Sequence, residues 1–428
     1  MRAVFLYWSL FERELERVLD DLTEFTTIDT LLVYVWSNSP HGDRLLLPSA
    51  DGFGELGPPV PVVGEAEFDA FSGLLDLARA KGFQIGCHFS PLFAYTEEMA
   101  GLRNQALVQP SFYDLPFDNL IWACPNNPAT VQYAVGVARS AVAAWPQADL
   151  LEVNHVEYPL WPHNGFGSLF TCFCPHCRDA AQAAGLDLPA LKRAAASLLE
   201  ELKTAPPPGG PAFSSPANLV LNAMLGRPEI AQWLAFRMDS MTQFVRTVIA
   251  AAREAAAQFN PGLKIGLDFF LPSAANLLGT DYAALYHLFD WVSPKFPDYL
   301  TGSIVPMIAD ELNPAGDPAR TAALREDMRR ILDAGEGPPI YEPSPSLDEQ
   351  LYYCNTFDAS IIDRQMGYLR KLDGTVPSYP WVWLYNRDLA GLREKFAALD
   401  RNGFEGYCLW LWEPDMTTAA LQETQGIF

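Results

Sequence analysis

The chain has 428 residues, with 29 Lys+Arg against 52 Asp+Glu and a formal net charge of −23. Its 49% hydrophobic and 12% aromatic residues supply a large core, and 19% charged residues are too few for a disordered polyelectrolyte. A sequence pI near 4.6 counts against binding to a nucleic-acid backbone or docking on an anionic membrane, since both need a basic surface. No run approaches the roughly 20 apolar residues needed to cross a bilayer, and the N-terminal segment turns acidic after a few apolar positions. Seven cysteines form an odd, crowded set that does not resemble a disulfide framework. The expectation is a cytoplasmic globular protein, with homo-oligomerisation left open.

In chain order, the apolar run Ala3 to Trp8 leads into FERELERVLDDLTEF, where Leu15, Val18, Leu19 and Leu22 recur at helical spacing. That is a strand and then a helix. The pair repeats with TLLVYVW (30–36) and the helical EAEFDAFSGLLDLARAKG, and FQIGCHF (83–89) follows directly. A helix over 129–145 precedes ADLLEVNHVEYP (148–159), and LKIGLDFF (263–270) and DWVSPKF (290–296) come later. PPIYE (338–342), PWVWLY (380–385) and EGYCLWLW (405–412) are the last strand candidates. Strands alternating with helices imply parallel pairing and the α/β class. No G-x-G-x-x-G loop follows the first strand, which counts against a dinucleotide-binding sheet and favours a closed (β/α)8 TIM barrel. Nine candidates compete for eight places, so one is surplus. The strand-free interval 160–262 is expected to be a long inserted helical loop after strand four, within one catalytic domain covering 1–428.

Cys172-Phe173-Cys174-Pro175-His176-Cys177 places three soft ligands within six residues, a spacing suited to one zinc ion. The fourth ligand is sought among Cys124, His163 and His176, with Cys124 preferred; the bland alternative is a loop of unliganded cysteines. Four thiolates leave no open position for water or substrate, so the zinc is expected to be structural, stapling the insertion.

In ADLLEVNHVEYP a period of two puts Leu151, Val153, His155 and Glu157 on one face, taken as inward, with Glu152 opposite and structural. Glu157 then projects into the barrel mouth beside His155. Glycosidic cleavage needs a second carboxylate, one group protonating the leaving oxygen while the other attacks the sugar or activates water. Glu342 at the end of PPIYE, Glu413 after YCLWLW and Asp268 within LKIGLDFF are the contenders. Asp268 has the plainer alternative of a buried partner for Lys295, and Glu413 that of a helix cap. Trp36, Trp161 and Trp412, beside polar loops, are candidates for stacking on sugar faces, while most other tryptophans read as core. His88, Asn154, His155, Lys295 and Asn386 are candidates for binding substrate hydroxyls.

Cys124 in CPNNP, Glu157 followed by Cys172-x-Cys174-x-x-Cys177, the DWVSPKFPDY run and the IYEPSPS run together resemble the family 42 glycoside hydrolases and related hypothetical glycosyl hydrolase-like barrels. The resemblance implies hydrolysis of a small oligosaccharide or glycoside, with Glu157 as acid/base and Glu342 as nucleophile ending strand seven. It also implies zinc held by Cys124, Cys172, Cys174 and Cys177. The chain departs from the family at Val156, where Asn is usual; Asn154 lies two positions earlier. In the hypothetical-hydrolase relatives a run similar to PWVWLY is strand seven, which shifts the second role toward Glu413 or Asp268. Two other readings compete: a barrel that binds carbohydrate without cleaving it, and a metal-dependent hydrolase or lyase built on His88, His155 and Asp268.

Overall fold

The computed structural model describes residues 1–6, 14–39, 42–56, 61–94, 121–160, 166–204, 216–270, 272–296, 304–332, 359–370, 376–384, 389–411 and 417–427. Eight parallel strands close into a barrel. They are β1 (Arg2–Leu6), β2 (Thr30–Tyr34), β3 (Gln84–Phe89), β4 (Leu150–Val153), β5 (Lys264–Phe270), β6 (Trp291–Lys295), β7 (Trp381–Leu384) and β8 (Tyr407–Leu411). Each pairs with the next in sequence, and β8 returns to β1 with Phe5 opposite Trp410. The (β/α)8 expectation holds. Of the two candidates for strand seven, 380–385 contains β7, and 338–342 lies outside the described residues.

The helices form where the sequence predicts them for local reasons. In α1 (Leu15–Phe25) the residues Leu15, Val18, Leu19 and Leu22 make one buried stripe. The first turn of α2 (Glu65–Ala80) carries two glutamates and its last turn Arg79, both favourable to the helix dipole. Asn127 caps α3 (Pro128–Ala144) by accepting from the Ala129 N–H, and Pro128 fits the first turn because it needs no donor there. Between β4 and β5 run a 3-10 turn, Phe166–Leu169, and α4 (Pro175–Ala183), α5 (Leu188–Thr204), α6 (Pro216–Gly226) and α7 (Pro228–Phe259). The long α7 packs against α3. It therefore serves as the outer helix of the fourth βα unit, and the extra part of the predicted insertion precedes it. Later come α8 (Val305–Glu311), α9 (Pro318–Ile331), α10 (Ser360–Leu369), α11 (Leu389–Arg401) and α12 (Thr418–Glu423). The hydroxyl of Thr418 at the start of α12 donates to Asp21 of α1 at 2.7 Å, which joins the last helix to the first.

Alternation along the strands divides the core in two. Val4, Leu31, Val33, Ile85, Leu151 and Val153 belong to the large cluster packed under the helices. Ala3, Phe5, Leu32, Leu150, Trp291, Trp381 and Cys408 form a separate cluster that fills the barrel. Gly266 of β5 makes room for the Trp291 ring, since a Cβ there would lie 2.1 Å from it. An apolar plug thus occupies the barrel, and the polar inward positions lie above it, toward the carboxyl ends of the strands. Among the described residues no helix is long and apolar enough to cross a membrane.

Candidate active site and four-cysteine cluster

Strand register decides which polar side chains meet above the plug. His88 of β3 lies opposite Glu152 of β4, and Asp268 of β5 opposite Ser293 of β6. Lys295 Nζ donates to Asn154 Oδ1 at 2.5 Å, so the Asn154 amide nitrogen must point the other way, 2.9 Å from His88 Nε2. That nitrogen is a donor, which makes Nε2 the acceptor and leaves the proton of the neutral ring on Nδ1. Nδ1 then donates to Glu152 Oε2 at 2.5 Å, and the Ser293 hydroxyl donates to Oε1 at 2.6 Å. One directional chain therefore runs from Lys295 through Asn154 and His88 to Glu152, with every member buried. Lys295 Nζ also lies 2.8 Å from Asp268 Oδ2. The other oxygen of Asp268, fully buried, makes no hydrogen bond among the described residues.

The expected phase of strand four is corrected here. Leu150 packs inside the barrel and Glu152 joins the mouth network, whereas Leu151 and Val153 pack outward. Glu152 is thus an inward residue. β4 ends at Val153, and His155 adopts a left-handed backbone with φ 53°. That turn breaks the period of two, so His155 and Glu157 reach the site by a route that strand alternation does not describe. Several bonds hold the turn: the His155 N–H donates to Asn154 Oδ1 at 2.7 Å, the Trp122 indole to the Glu157 carbonyl at 2.7 Å, and the Thr280 hydroxyl to the Val156 carbonyl at 3.0 Å. His155 Nδ1 lies 2.9 Å from Glu157 Oε1.

Burial governs the protonation states. It pushes the Glu157 carboxyl up to about 8, against the pull of Lys295 and with the charge of Asp268 adding to the rise. Asp268 is raised by burial to about 7 although Lys295 opposes it, and Glu152 is raised by burial to about 7 despite its Ser293 bond. Burial lowers His88 to about 3 and takes His155 well below its ordinary range. At neutral pH Glu157 therefore keeps its proton and both imidazoles are neutral. A protonated carboxyl and a second acid in electrostatic contact can give and accept a proton around a bound substrate.

The second constellation lies on the other side of the same turn. The sulfur atoms of Cys124, Cys172, Cys174 and Cys177 are all within 4.8 Å of one another, and all four residues are buried. Cys124 is 3.4 Å from both Cys174 and Cys177. A tetrahedral thiolate site with arms of about 2.3 Å has edges of about 3.8 Å, so these donors fit one metal ion with little movement. Cys174 is the N-cap of α4 and Pro175 its first residue, which brings Cys177 round within the first turn. The Asn126 amide donates to Cys177 Sγ at 3.4 Å and to the Ser240 hydroxyl at 3.0 Å. Tyr158, next to Glu157, is wedged nearby; Gly279, at φ 79°, lets the backbone pass its ring, where a Cβ would come within 2.5 Å.

Of the residues expected from sequence, the structure brings together His88, Asn154, His155, Glu157, Asp268 and Lys295 at the mouth. It also gathers the four cysteines, with Cys124 as the fourth member and His176 not in the group. The plainer reading of Asp268 as the partner of Lys295 is also observed. Among the described residues, His88, His155 and Asp268 do not form a set of donors that could share a metal. Trp161, His163, Glu342, Asn386, Trp412 and Glu413 lie outside the described residues, as does the side chain of Trp36, whose backbone pairs in the hairpin Trp36–Ser39 with Gly42–Leu45. Glu152 and Ser293 were not expected at the site. The signal for Glu152 was its place opposite His88, which appears only once the strands are aligned.

No protein-family model matches the chain, and no curated protein matches it. Among solved structures, the chain is similar to the PgaB (BpsB) glycoside hydrolase domain from Bordetella bronchiseptica, with a TM-score of 0.55 at 12% identity over 99% of this chain and 98% of that one. It is also similar to the β-galactosidase from the psychrophilic Marinomonas ef1, with a TM-score of 0.50 at 10% identity over 96% of this chain; it spans 54% of that enzyme. At these identities the likeness establishes a shared barrel fold of the kind glycoside hydrolases use.

Proposed function

We propose that the chain is a glycoside hydrolase that cleaves a glycosidic bond of a small oligosaccharide or glycoside, with Glu157 as general acid. The observation that carries this reading is the buried pair Glu157 and Asp268, one keeping its proton at neutral pH and the other with an unbonded oxygen. Glu157 gives its proton to the departing glycosidic oxygen as the bond to the anomeric carbon breaks. A carboxylate on the other side stabilises the positive charge at that carbon, by attack or by activating water. Of the two further acids that the described residues bring to the mouth, Asp268, held by Lys295, is preferred, because both oxygens of Glu152 are taken by His88 and Ser293. Glu342, which the resemblance assigns as nucleophile, and Glu413 are its rivals. A zinc ion held by Cys124, Cys172, Cys174 and Cys177 would be structural, since four thiolates fill its tetrahedron. Reduced thiols in this arrangement suit a reducing compartment, in keeping with a cytoplasmic protein.

The test is turnover of a panel of nitrophenyl glycosides. Glu157→Gln is expected to lower kcat by about 10²- to 10⁴-fold and to remove the loss of activity above pH 8. Asp268→Asn should do comparable damage. Full activity in Glu157→Gln rejects the reading, and activity lost in Glu342→Gln but kept in Asp268→Asn moves the second role to Glu342. Sugar binding without turnover across the panel would favour a binding-only barrel.

A further inference from the structure

We propose that Arg237 is the built-in counter-ion of the metal centre formed by the four cysteines. The proposal rests on the metal reading of that cluster and is independent of the glycosidase reading. Arg237 lies in the first half of α7 and is 1% exposed. It has one hydrogen bond, from Nη1 to the Leu277 carbonyl at 2.9 Å, while Nε and Nη2 make none among the described residues. Nor does it form an ion pair with any carboxylate there. Its guanidinium sits 4.3 Å from the centroid of the Tyr158 ring and 4.8 Å from that of Trp233. Ring faces attract a cation, but by less than a buried charge without a counter-ion costs.

A guanidinium cannot escape this cost by losing its proton: burial draws Arg237 down only to about 10. Contacts place it at the cluster: Trp233, under its guanidinium, stacks on Phe173 between Cys172 and Cys174, and Ser240, one turn further along α7, shares the Asn126 amide with Cys177. A divalent ion bound by four thiolates carries a net charge of 2 − 4 = −2, which is the sign and the place that Arg237 lacks in carboxylates. The N-terminus of α4 adds partial positive charge at Cys174. With the metal bound, cation and anionic centre compensate each other; with neutral thiols, Arg237 is left as a lone buried charge. Arg237 therefore raises metal affinity, and metal binding stabilises the burial of Arg237.

The experiment uses the full chain, stripped with a chelator and titrated with Co²⁺ in competition with that chelator. The readout is the thiolate-to-cobalt charge-transfer absorbance, followed by its loss on adding Zn²⁺. Wild type should take up one equivalent. Arg237→Met should weaken Co²⁺ binding by about 10- to 100-fold, and Arg237→Lys should lose less. Should Arg237→Met fail to fold, Arg237→Gln removes the same charge while keeping a donor for Leu277. Thermal melts add a reading that mere packing would not give: the charge-removing variant should melt below wild type when loaded and above it when metal-free. Affinities within twofold of wild type, or a lowered melt in both states, overturn the proposal. A wild type that binds neither Co²⁺ nor Zn²⁺ overturns the metal reading beneath it.

Discussion

The barrel mouth and the cysteine cluster flank one short turn, residues 154–158, but are assembled in different ways. The mouth takes side chains from β3, β4, β5 and β6 and from the turn, and its hydrogen bonds follow from which residues the register sets opposite each other. The cluster takes three of its four residues from one hexapeptide at a helix cap, and needs long-range folding only for Cys124. The polar chain is satisfied within the protein, from an ammonium to a carboxylate. The four cysteine sulfurs converge on one another, with the Asn126 amide donating to Cys177. A satisfied network holds geometry, whereas donors converging on one point could hold an ion.

Breaking the cluster should have the largest effect. Structural thiolate metal sites contribute on the order of 10 kcal/mol in small domains. Chelation or Cys124→Ser is therefore expected to lower the melting temperature sharply and to open proteolytic sites around Cys172–Cys177. An unchanged melt would mean that the turn stands without the cluster. Next comes Lys295→Met, which leaves Asp268 buried without its cation and should cost about 3–5 kcal/mol in urea unfolding. The double variant with Asp268→Asn should recover part of that loss, and strict additivity would show that the pair does not interact.

A smaller effect concerns pH. Glu152, Glu157 and Asp268 hold protons more tightly folded than unfolded, with values of about 7, 8 and 7. The stability they contribute is complete below about pH 4 and is lost as pH rises through those values. His88 and His155, held neutral, act in the opposite sense, and their contribution is complete above their ordinary value of 6.5. Between pH 6.5 and about 8.5 the carboxyls alone among these groups remain to titrate, so the melting temperature should fall across that window. Glu157→Gln should flatten its upper part, and a melting temperature that rises instead would show that these carboxyls are not held protonated. Smallest of all, Trp122→Phe removes the indole bond to the Glu157 carbonyl and should cost about 1 kcal/mol. A drop in activity larger than in stability would show that this bond positions the acid.

Much of this was legible in the chain because it is local. The buried stripe of α1, the Asn127 cap followed by Pro128, and the Cys174-Pro175 start of α4 each depend on residues within a turn or two of one another. Alternating strands and helices pointed to a barrel, and Glu157, Asp268, His88 and Lys295 stood out as polar groups in or just after apolar runs. Strand four shows where local reading stops. Its predicted end at 159 lies beyond the observed end at Val153, and the left-handed His155 resets the direction of everything after it. Periodicity cannot register such a reset, since a single backbone angle alters no residue type.

By itself, then, the sequence determined the elements, the barrel class and the identity of the groups able to hold a proton or a metal. Tertiary structure decided which of them meet. Closure put β7 within 380–385, register set Glu152 against His88 and Asp268 against Ser293, and the turn at His155 carried Glu157 toward Asp268. It also placed Arg237, which has no carboxylate partner among the described residues, on the helix whose Ser240 shares the Asn126 amide with Cys177. Side-chain chemistry belongs to single residues, but desolvation, pairing and orientation depend on neighbours that only the closed barrel brings within a few ångströms.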